Sequence, residues 1–153
     1  MNVVLVEPEI PPNTGNIARL CLAAGARLHL IRPLGFSLDD RYLKRAGMDY
    51  WPHVDLKIWD DFGTCRVAAD PASAWYFLTT KTSSIYHQAA FRTGDYLVFG
   101  RETKGLPESL LAENAESCLT IPMQPIARSL NLATSVGIVL YEALRQTSSM
   151  QSP

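Results

Sequence analysis

Three polar segments carry the residue types from which a binding or catalytic site is made. The first, Asn13-Thr14-Gly15-Asn16-Ile17-Ala18-Arg19, opens a helical pattern shortly after an apolar run. Backbone N–H groups at a helix start favour an anion, and Arg19 lies one turn further in, placed to reach back toward a phosphate. The same residues also read as a capped helix with a surface arginine. The second is Phe99-Gly100-Arg101-Glu102-Thr103-Lys104-Gly105-Leu106-Pro107. Gly100 lets a ligand approach the backbone, Gly105 suits a positive φ, and Glu102 sets a carboxylate at a strand end. An ordinary strand-to-helix turn has the same composition. The third is Ile121-Pro122-Met123 followed by Arg128-Ser129-Leu130-Asn131-Leu132. Pro122 fixes the exit from a strand. Ser129 and Asn131 suit the cap of the last helix and equally well donate hydrogen bonds to a substrate, with the charge of Arg128 beside them.

Several chemistries are excluded by what these segments lack. None is a GxGxxG turn or a phosphate-binding P-loop, so a dinucleotide or nucleoside triphosphate site is not indicated. The three cysteines, Cys21, Cys65 and Cys118, are far apart and form no CxxC pair, which leaves neither a zinc site nor a disulfide framework. They read as reduced, buried thiols. A net charge of −1 argues against nucleic-acid binding through overall charge. It leaves room for local basic faces: Arg41, Lys44 and Arg45 form one, Arg101 with Lys104 another, and Arg128 a third. Taken singly, each is an ordinary solvated surface.

The elements that must position these residues follow from periodicity. Val3–Val6 is short, apolar and β-branched, as a strand buried on both faces should be. A proline-rich loop from Glu7 to Pro12 leads to Asn13–Asn16, which offer N-cap residues for a helix through Ile17, Leu20, Cys21 and Ala24, stopped by Gly25. Further strands are expected at Leu28–Ile31, Val54–Ile58, Trp75–Leu78, Tyr96–Phe99 and Leu119–Ile121. Helices are expected at Asp39–Ala46, with Gly47 as its stop, and at Asp60–Ala68, Pro107–Leu111 and Leu132–Gln146. The last carries Leu132, Val136, Val139, Leu140, Ala143 and Leu144 along one side. Strands alternating with helices imply an α/β fold, with a parallel sheet covered on both faces. A chain of 153 residues with no internal linker reads as one domain, 1–153, ending in a frayed polar tail from Thr147. No apolar run approaches the ~20 residues that cross a bilayer, and the N-terminus lacks a signal peptide's basic start. A cytoplasmic protein is expected.

Together the three segments resemble the three motifs of the SPOUT superfamily of RNA methyltransferases. The match is nearest to the small single-domain group that methylates the wobble ribose of certain tRNAs. Glu7-Pro8-Glu9-Ile10-Pro11-Pro12 leading into Asn13–Arg19 resembles motif 1. Phe99–Pro107 resembles motif 2. Ile121–Met123 with Arg128–Leu132, and on to Tyr141-Glu142-Ala143, resembles motif 3. Arg32-Pro33-Leu34-Gly35-Phe36, Asp39-Asp40 through Arg45-Ala46-Gly47-Met48-Asp49-Tyr50, and Leu78-Thr79-Thr80-Lys81 are similar as well, so the likeness runs along nearly the whole chain. Two departures lie beside the expected site: Arg101 stands where the pattern has Pro, and Ala133-Thr134-Ser135 replaces the usual Ser-Asn-Ala.

The resemblance implies a C-terminal trefoil knot, which periodicity cannot show and connection rules would not predict. It implies S-adenosylmethionine as cofactor, held by Leu78, Thr79, Gly100, Glu102, Ile121, Met123, Ser129 and Leu130. The implied reaction is methyl transfer to the ribose 2′-hydroxyl of a wobble cytidine or 5-carboxymethylaminomethyluridine, in leucine tRNAs first of all. Arg19, Ser129 and Asn131 would be catalytic. Asn16, Arg19, Arg41, Lys44, Arg45, Lys81 and Arg128 would face the anticodon stem-loop, and no metal is implied. It also implies a homodimer through the first and last helices, which the apolar stripe of the last helix fits; packing on the sheet explains that stripe equally well. The alternatives are 2′-O-methylation of another tRNA position or of ribosomal RNA, or RNA binding without catalysis.

Overall fold

The architecture comes from a computed structural model that describes residues 1–39, 41, 43, 45 and 50–147. Six strands form one sheet: β1 (Asn2–Val6), β2 (Arg27–Ile31), β3 (Leu56–Trp59), β4 (Trp75–Leu78), β5 (Tyr96–Phe99) and β6 (Cys118–Leu119). Their order is β3-β2-β1-β5-β4-β6, and every pairing is parallel. Helices bounded within the described residues are α1 (Pro11–Ala24), α2 (Phe62–Val67), α3 (Glu108–Glu113) and α4 (Leu132–Thr147). The α/β reading of the sequence therefore holds.

Alternation along the strands sorts the core into two layers. Val3 and Leu5 of β1 join Leu28, Leu30, Leu97 and Phe99 under α1 and α4. Val4 and Val6 point the other way, with Ile31, Phe77 and Val98, toward Cys65 of α2 and Leu110 and Leu111 of α3. The stripe of α4 is spent on the first layer: Val136, Val139, Leu140 and Ala143 are fully buried within their own chain. It packs against α1 and the sheet, while Tyr141 remains 38% exposed.

Several boundaries move for local reasons. Helix α1 begins at Pro11, ahead of the expected Asn13–Asn16 cap, with prolines in its first positions and no side-chain cap at Ile10. Proline suits this place because it brings the required φ and has no N–H to leave unpaired. At the far end Gly25 is left-handed (φ 63°), and the N–H groups of Gly25 and Ala26 reach Leu22 O and Cys21 O, a Schellman stop. Strand β3 starts two residues later than expected, since the Val54 N–H is committed to Trp51 O in a 3₁₀ turn. Helix α2 is capped by Asp61, whose carboxylate takes the Thr64 N–H at 2.7 Å. Pro107 is the N-cap of α3 and not its first residue. β6 ends at Leu119, where Thr120 turns to donate to Ser84 O. Thr147 belongs to α4, not to a tail. In the expected Asp39–Ala46 helix, Arg41, Leu43 and Arg45 are helical; Asp40, Tyr42, Lys44 and residues 46–49, with the Gly47 stop, lie outside the described residues, as do 148–153. No helix among the described residues is long and apolar enough to cross a membrane.

Candidate active site

In an open parallel sheet, ligands bind outside the carboxyl ends of the strands. A cavity of about 600 Å³ lies there, beyond β4 and β5 and beside the chain leaving β6. All three polar segments reach it. Leu78 and Thr79 come from the end of β4, Gly100 and Glu102 from the turn after β5, and Ile121, Met123, Ser129 and Leu130 from the segment before α4. Asn131, Arg128 and Lys81 also line it. Arg19 and Asn16 do not: both are exposed on α1, and the Arg19 guanidinium sits 4.9 Å above the Tyr50 ring. Arg41 and Arg45 are exposed elsewhere, and Lys44 is outside the described residues.

The turn after β5 is closed tightly. A Cβ on Gly100 would stand 2.1 Å from the carbonyl carbon of Gly105, so only glycine fits. Gly105 itself has φ 68°, and Arg101 and Gly105 exchange two backbone hydrogen bonds at 3.2 and 2.9 Å. This folded turn presents its side chains to the segment after β1. Glu102 accepts from the backbone N–H of Glu9 at 2.8 Å and of Ile10 at 3.0 Å, and from Asn13 Nδ2 at 3.3 Å. A carboxylate beyond the start of α1 thus supplies the acceptors and negative charge that its own residues do not. The Thr103 hydroxyl meets Glu9 Oε2 at 2.8 Å, and Arg101 forms an ion pair with Glu7.

Asn13 joins this network to the third segment. Its Oδ1 accepts from Asn131 Nδ2 at 3.0 Å, while Asn131 Oδ1 takes the Thr134 N–H at 3.2 Å at the mouth of α4. A continuous chain therefore runs Glu102–Asn13–Asn131–α4. Asn131 caps the last helix as the sequence suggests. Ser129 does not; it is exposed at the cavity and makes no hydrogen bond among the described residues. Asn13 was expected as an N-cap residue and was given no cofactor or substrate role, yet it is only 8% exposed and is held by neighbours from the other two segments. The signal for it was the Pro11-Pro12 pair, which sets the helix start two residues earlier and makes Asn13 the first side chain free to face the turn.

Charge at the cavity is mixed. Lys81 is paired with Glu108 at 2.7 Å, and that hydrogen bond holds the Glu108 carboxyl below its usual range. Arg128 is exposed at the rim.

The SpoU rRNA Methylase family model matches residues 1–141. The chain belongs to the SpoU methylase family. It is 52% identical over 149 residues, 95% of this chain and 94% of the relative, to a tRNA (cytidine(34)-2'-O)-methyltransferase of Burkholderia pseudomallei (strain 1106a). A solved structure described as giving insights into the 2-OH methylation of C/U34 on tRNA superposes with a TM-score of 0.92, at 48% identity, covering 97% of each chain. An AdoMet-bound rRNA methyltransferase from Sinorhizobium meliloti superposes with a TM-score of 0.83 at 28% identity, covering 99% of this chain and 57% of that one. The SpoU family is S-adenosylmethionine-dependent, and the cavity suits that cofactor. Its volume is in the range of small-molecule sites, with apolar walls at Leu78, Ile121, Met123 and Leu130 and hydroxyls at Thr79 and Ser129.

Proposed function

We propose that this SpoU methylase transfers a methyl group to the ribose 2′-hydroxyl of nucleotide 34, the wobble position of tRNA. The near full-length likeness to a tRNA (cytidine(34)-2'-O)-methyltransferase carries the reading. S-adenosylmethionine supplies a methyl group on a sulfonium that departs as a neutral thioether, so no acid is needed at the leaving side. The residues of this chain have two tasks: to hold the cofactor and the ribose in line, and to assist loss of the hydroxyl proton.

Leu78, Ile121, Met123 and Leu130 would bury the apolar parts of the cofactor. Backbone groups of the turn at Gly100 and the hydroxyl of Thr79 would meet its polar edges. Ser129, unengaged at the mouth, would face the ribose. Glu102 would act by holding the turn and the start of α1 together, since its oxygens are taken by Glu9, Ile10 and Asn13. A guanidinium donates hydrogen bonds and accepts none, so Arg19 would clamp the phosphate next to the target ribose and stabilise the developing alkoxide, while the hydroxyl proton passes to that phosphate and on to water.

Arg19 lies outside its own chain's cavity, which supports a homodimer in which α1 of one copy serves the cavity of the other. A cytosolic setting, a knotted C-terminal segment and a basic face including Lys81 and Arg128 for the anticodon stem-loop complete the proposal. Leucine isoacceptors are the first substrates to try.

The test is methyl transfer to a panel of defined tRNAs, with the modified ribose mapped by mass spectrometry. Methylation at nucleotide 34 is expected; methylation confined to another position or to ribosomal RNA would overturn it. In the same assay Arg19→Ala should lose activity by roughly 10²-fold or more. Mixing it with Met123→Trp, which fills the cavity, should restore part of the activity if Arg19 and cofactor come from different copies.

A further inference from the structure

The ion pair between Glu7 and Arg101 is not explained by catalysis. Glu7 ends the exit from β1 in a left-handed conformation, φ 52°, which is uncommon without glycine. Its backbone N–H is fixed to Ile31 O at 3.0 Å. Its Oε2 is buried and takes no other hydrogen bond among the described residues, so Arg101 is its counter-charge. The Glu7 side chain is 23% exposed and that of Arg101 37%, but a carboxylate oxygen shut off from water still needs a counter-charge or a donor. Arg101 in turn lies in the closed turn that forms one wall of the cavity, doubly bonded through its backbone to Gly105. The pair therefore joins a wall of the cavity to a fixed point at the end of β1.

We propose that Arg101 is a positioning residue for S-adenosylmethionine: by neutralising Glu7 it fixes the turn 100–106 and so sets cofactor affinity. The proposal rests on the cavity being the cofactor site. Arg101 lines the cavity, and the role proposed for it is to act through the turn and not on the reacting atoms. Its loss loosens cofactor binding and leaves the chemical step alone.

The experiment is calorimetric titration of the full chain with S-adenosylhomocysteine, together with KM and kcat for methyl transfer. Arg101→Met should weaken binding and raise the cofactor KM by about tenfold, the scale of one charge-assisted hydrogen bond, with kcat at saturating cofactor within about twofold of wild type. Glu7→Gln should do the same, and the double variant should be no weaker than either single one. Arg101→Lys keeps the charge and should recover most of the affinity, so the proposal remains testable if Arg101→Met does not fold. Unchanged affinity in Arg101→Met, additive losses in the double variant, or a fall in kcat with KM unmoved would each overturn it. Met123→Trp separates the two ideas. If it abolishes binding while Arg101→Met does not weaken it, the positioning role alone falls. If Met123→Trp binds normally, the cavity is not the cofactor site.

Discussion

Two polar networks cross this sheet, and they are built to opposite specifications. The one at the carboxyl ends runs from the charged Glu102 of the turn after β5 to Asn13 in the first turn of α1 and on to Asn131 before α4. The other lies under α2 and is neutral. There His29 Nδ1 accepts from Trp59 Nε1 at 3.0 Å, which leaves Nε2 to donate to Asn2 Oδ1 at 3.1 Å, and Asn2 Nδ2 donates to Gly94 O at 2.8 Å. The His29 ring also stacks on Trp59, with centroids 6.0 Å apart. The first network opens on a cavity of about 600 Å³; the second is closed, with His29 2% exposed. A network facing a ligand keeps charge and unengaged donors such as Ser129. One that serves only stability satisfies every group and stays neutral.

Asn13→Ala is the sharpest way to break the first network. It removes the link between Glu102 and Asn131 without touching a group proposed to meet substrate. Misplacement of the turn and of Asn131 should lower kcat/KM by roughly 10²-fold, measured in the tRNA methylation assay, with a folded thermal transition retained. Activity within a few-fold of wild type would show that the three loops hold their positions independently. Asn13→Asp is a useful companion. It keeps the shape but places a second carboxylate against Glu102, so it should be at least as damaging.

These networks also mark how far the sequence could be read. Strand periodicity located all six strands to within a few residues, because buried parallel strands are continuous apolar runs such as Val3–Val6 and Tyr96–Phe99. Gly25 and Asn131 were legible as helix punctuation, since each acts within its own few residues. The misplaced ends have local competitors that periodicity does not weigh: the Trp51 carbonyl claims Val54, and Asp61 caps α2, so that the helix starts at Phe62. The pairing of distant side chains is a different matter. Asn13 meets Glu102 across 89 positions and Asn131 across 118, and that depends on a strand order, β3-β2-β1-β5-β4-β6, which no spacing encodes. His29, buried in mid-strand among apolar neighbours, gave no signal, because its partners Trp59 and Asn2 lie on other strands.

The second network should fail in stability and not in activity. His29→Leu leaves Trp59 Nε1 and Asn2 Oδ1 without partners, which should cost about 1–3 kcal/mol of unfolding free energy, with kcat of the folded enzyme unchanged. It also predicts a pH dependence. Burial, reinforced by the charges of Arg27 and Lys57, lowers the His29 pKa from 6.5 to about 4, against a smaller opposing effect of Asp55. Protonation would also put a hydrogen on Nδ1, where Trp59 already donates. The unfolded chain binds this proton near pH 6.5 and the folded one only near 4. The stability His29 contributes is therefore complete above about pH 6.5 and is lost as pH falls toward 4, by up to about 3 kcal/mol. Denaturant titrations between pH 7 and 4 should show that slope in the wild type and a flatter one in His29→Gln. An equal slope in both would mean that the ring is hydrated in solution and the network is not closed.

The smallest effect belongs to a third polar cluster, on the surface of α4, and it tests whether charge without enclosure contributes. Glu142 receives Arg145 Nε and Nη2, each at 2.8 Å, and Gln146 Nε2 at 2.8 Å. These hydrogen bonds, that of Arg145 foremost, hold its carboxyl down to about 2. Yet the Arg145 side chain is 71% exposed, so water screens the pair. Arg145→Ala should leave the unfolding free energy at pH 7 close to that of the wild type, a smaller change than that of any other variant here. The direction of the Glu142 shift places its contribution above the ordinary carboxylate pKa, to be lost as pH falls toward 2. That window lies below the His29 window. A slope that survives below pH 4 in His29→Gln and shrinks further in the Arg145→Ala double variant would assign the two windows separately. A loss at pH 7 as large as that of His29→Leu would mean that enclosure is not what separates the strong network from the weak one.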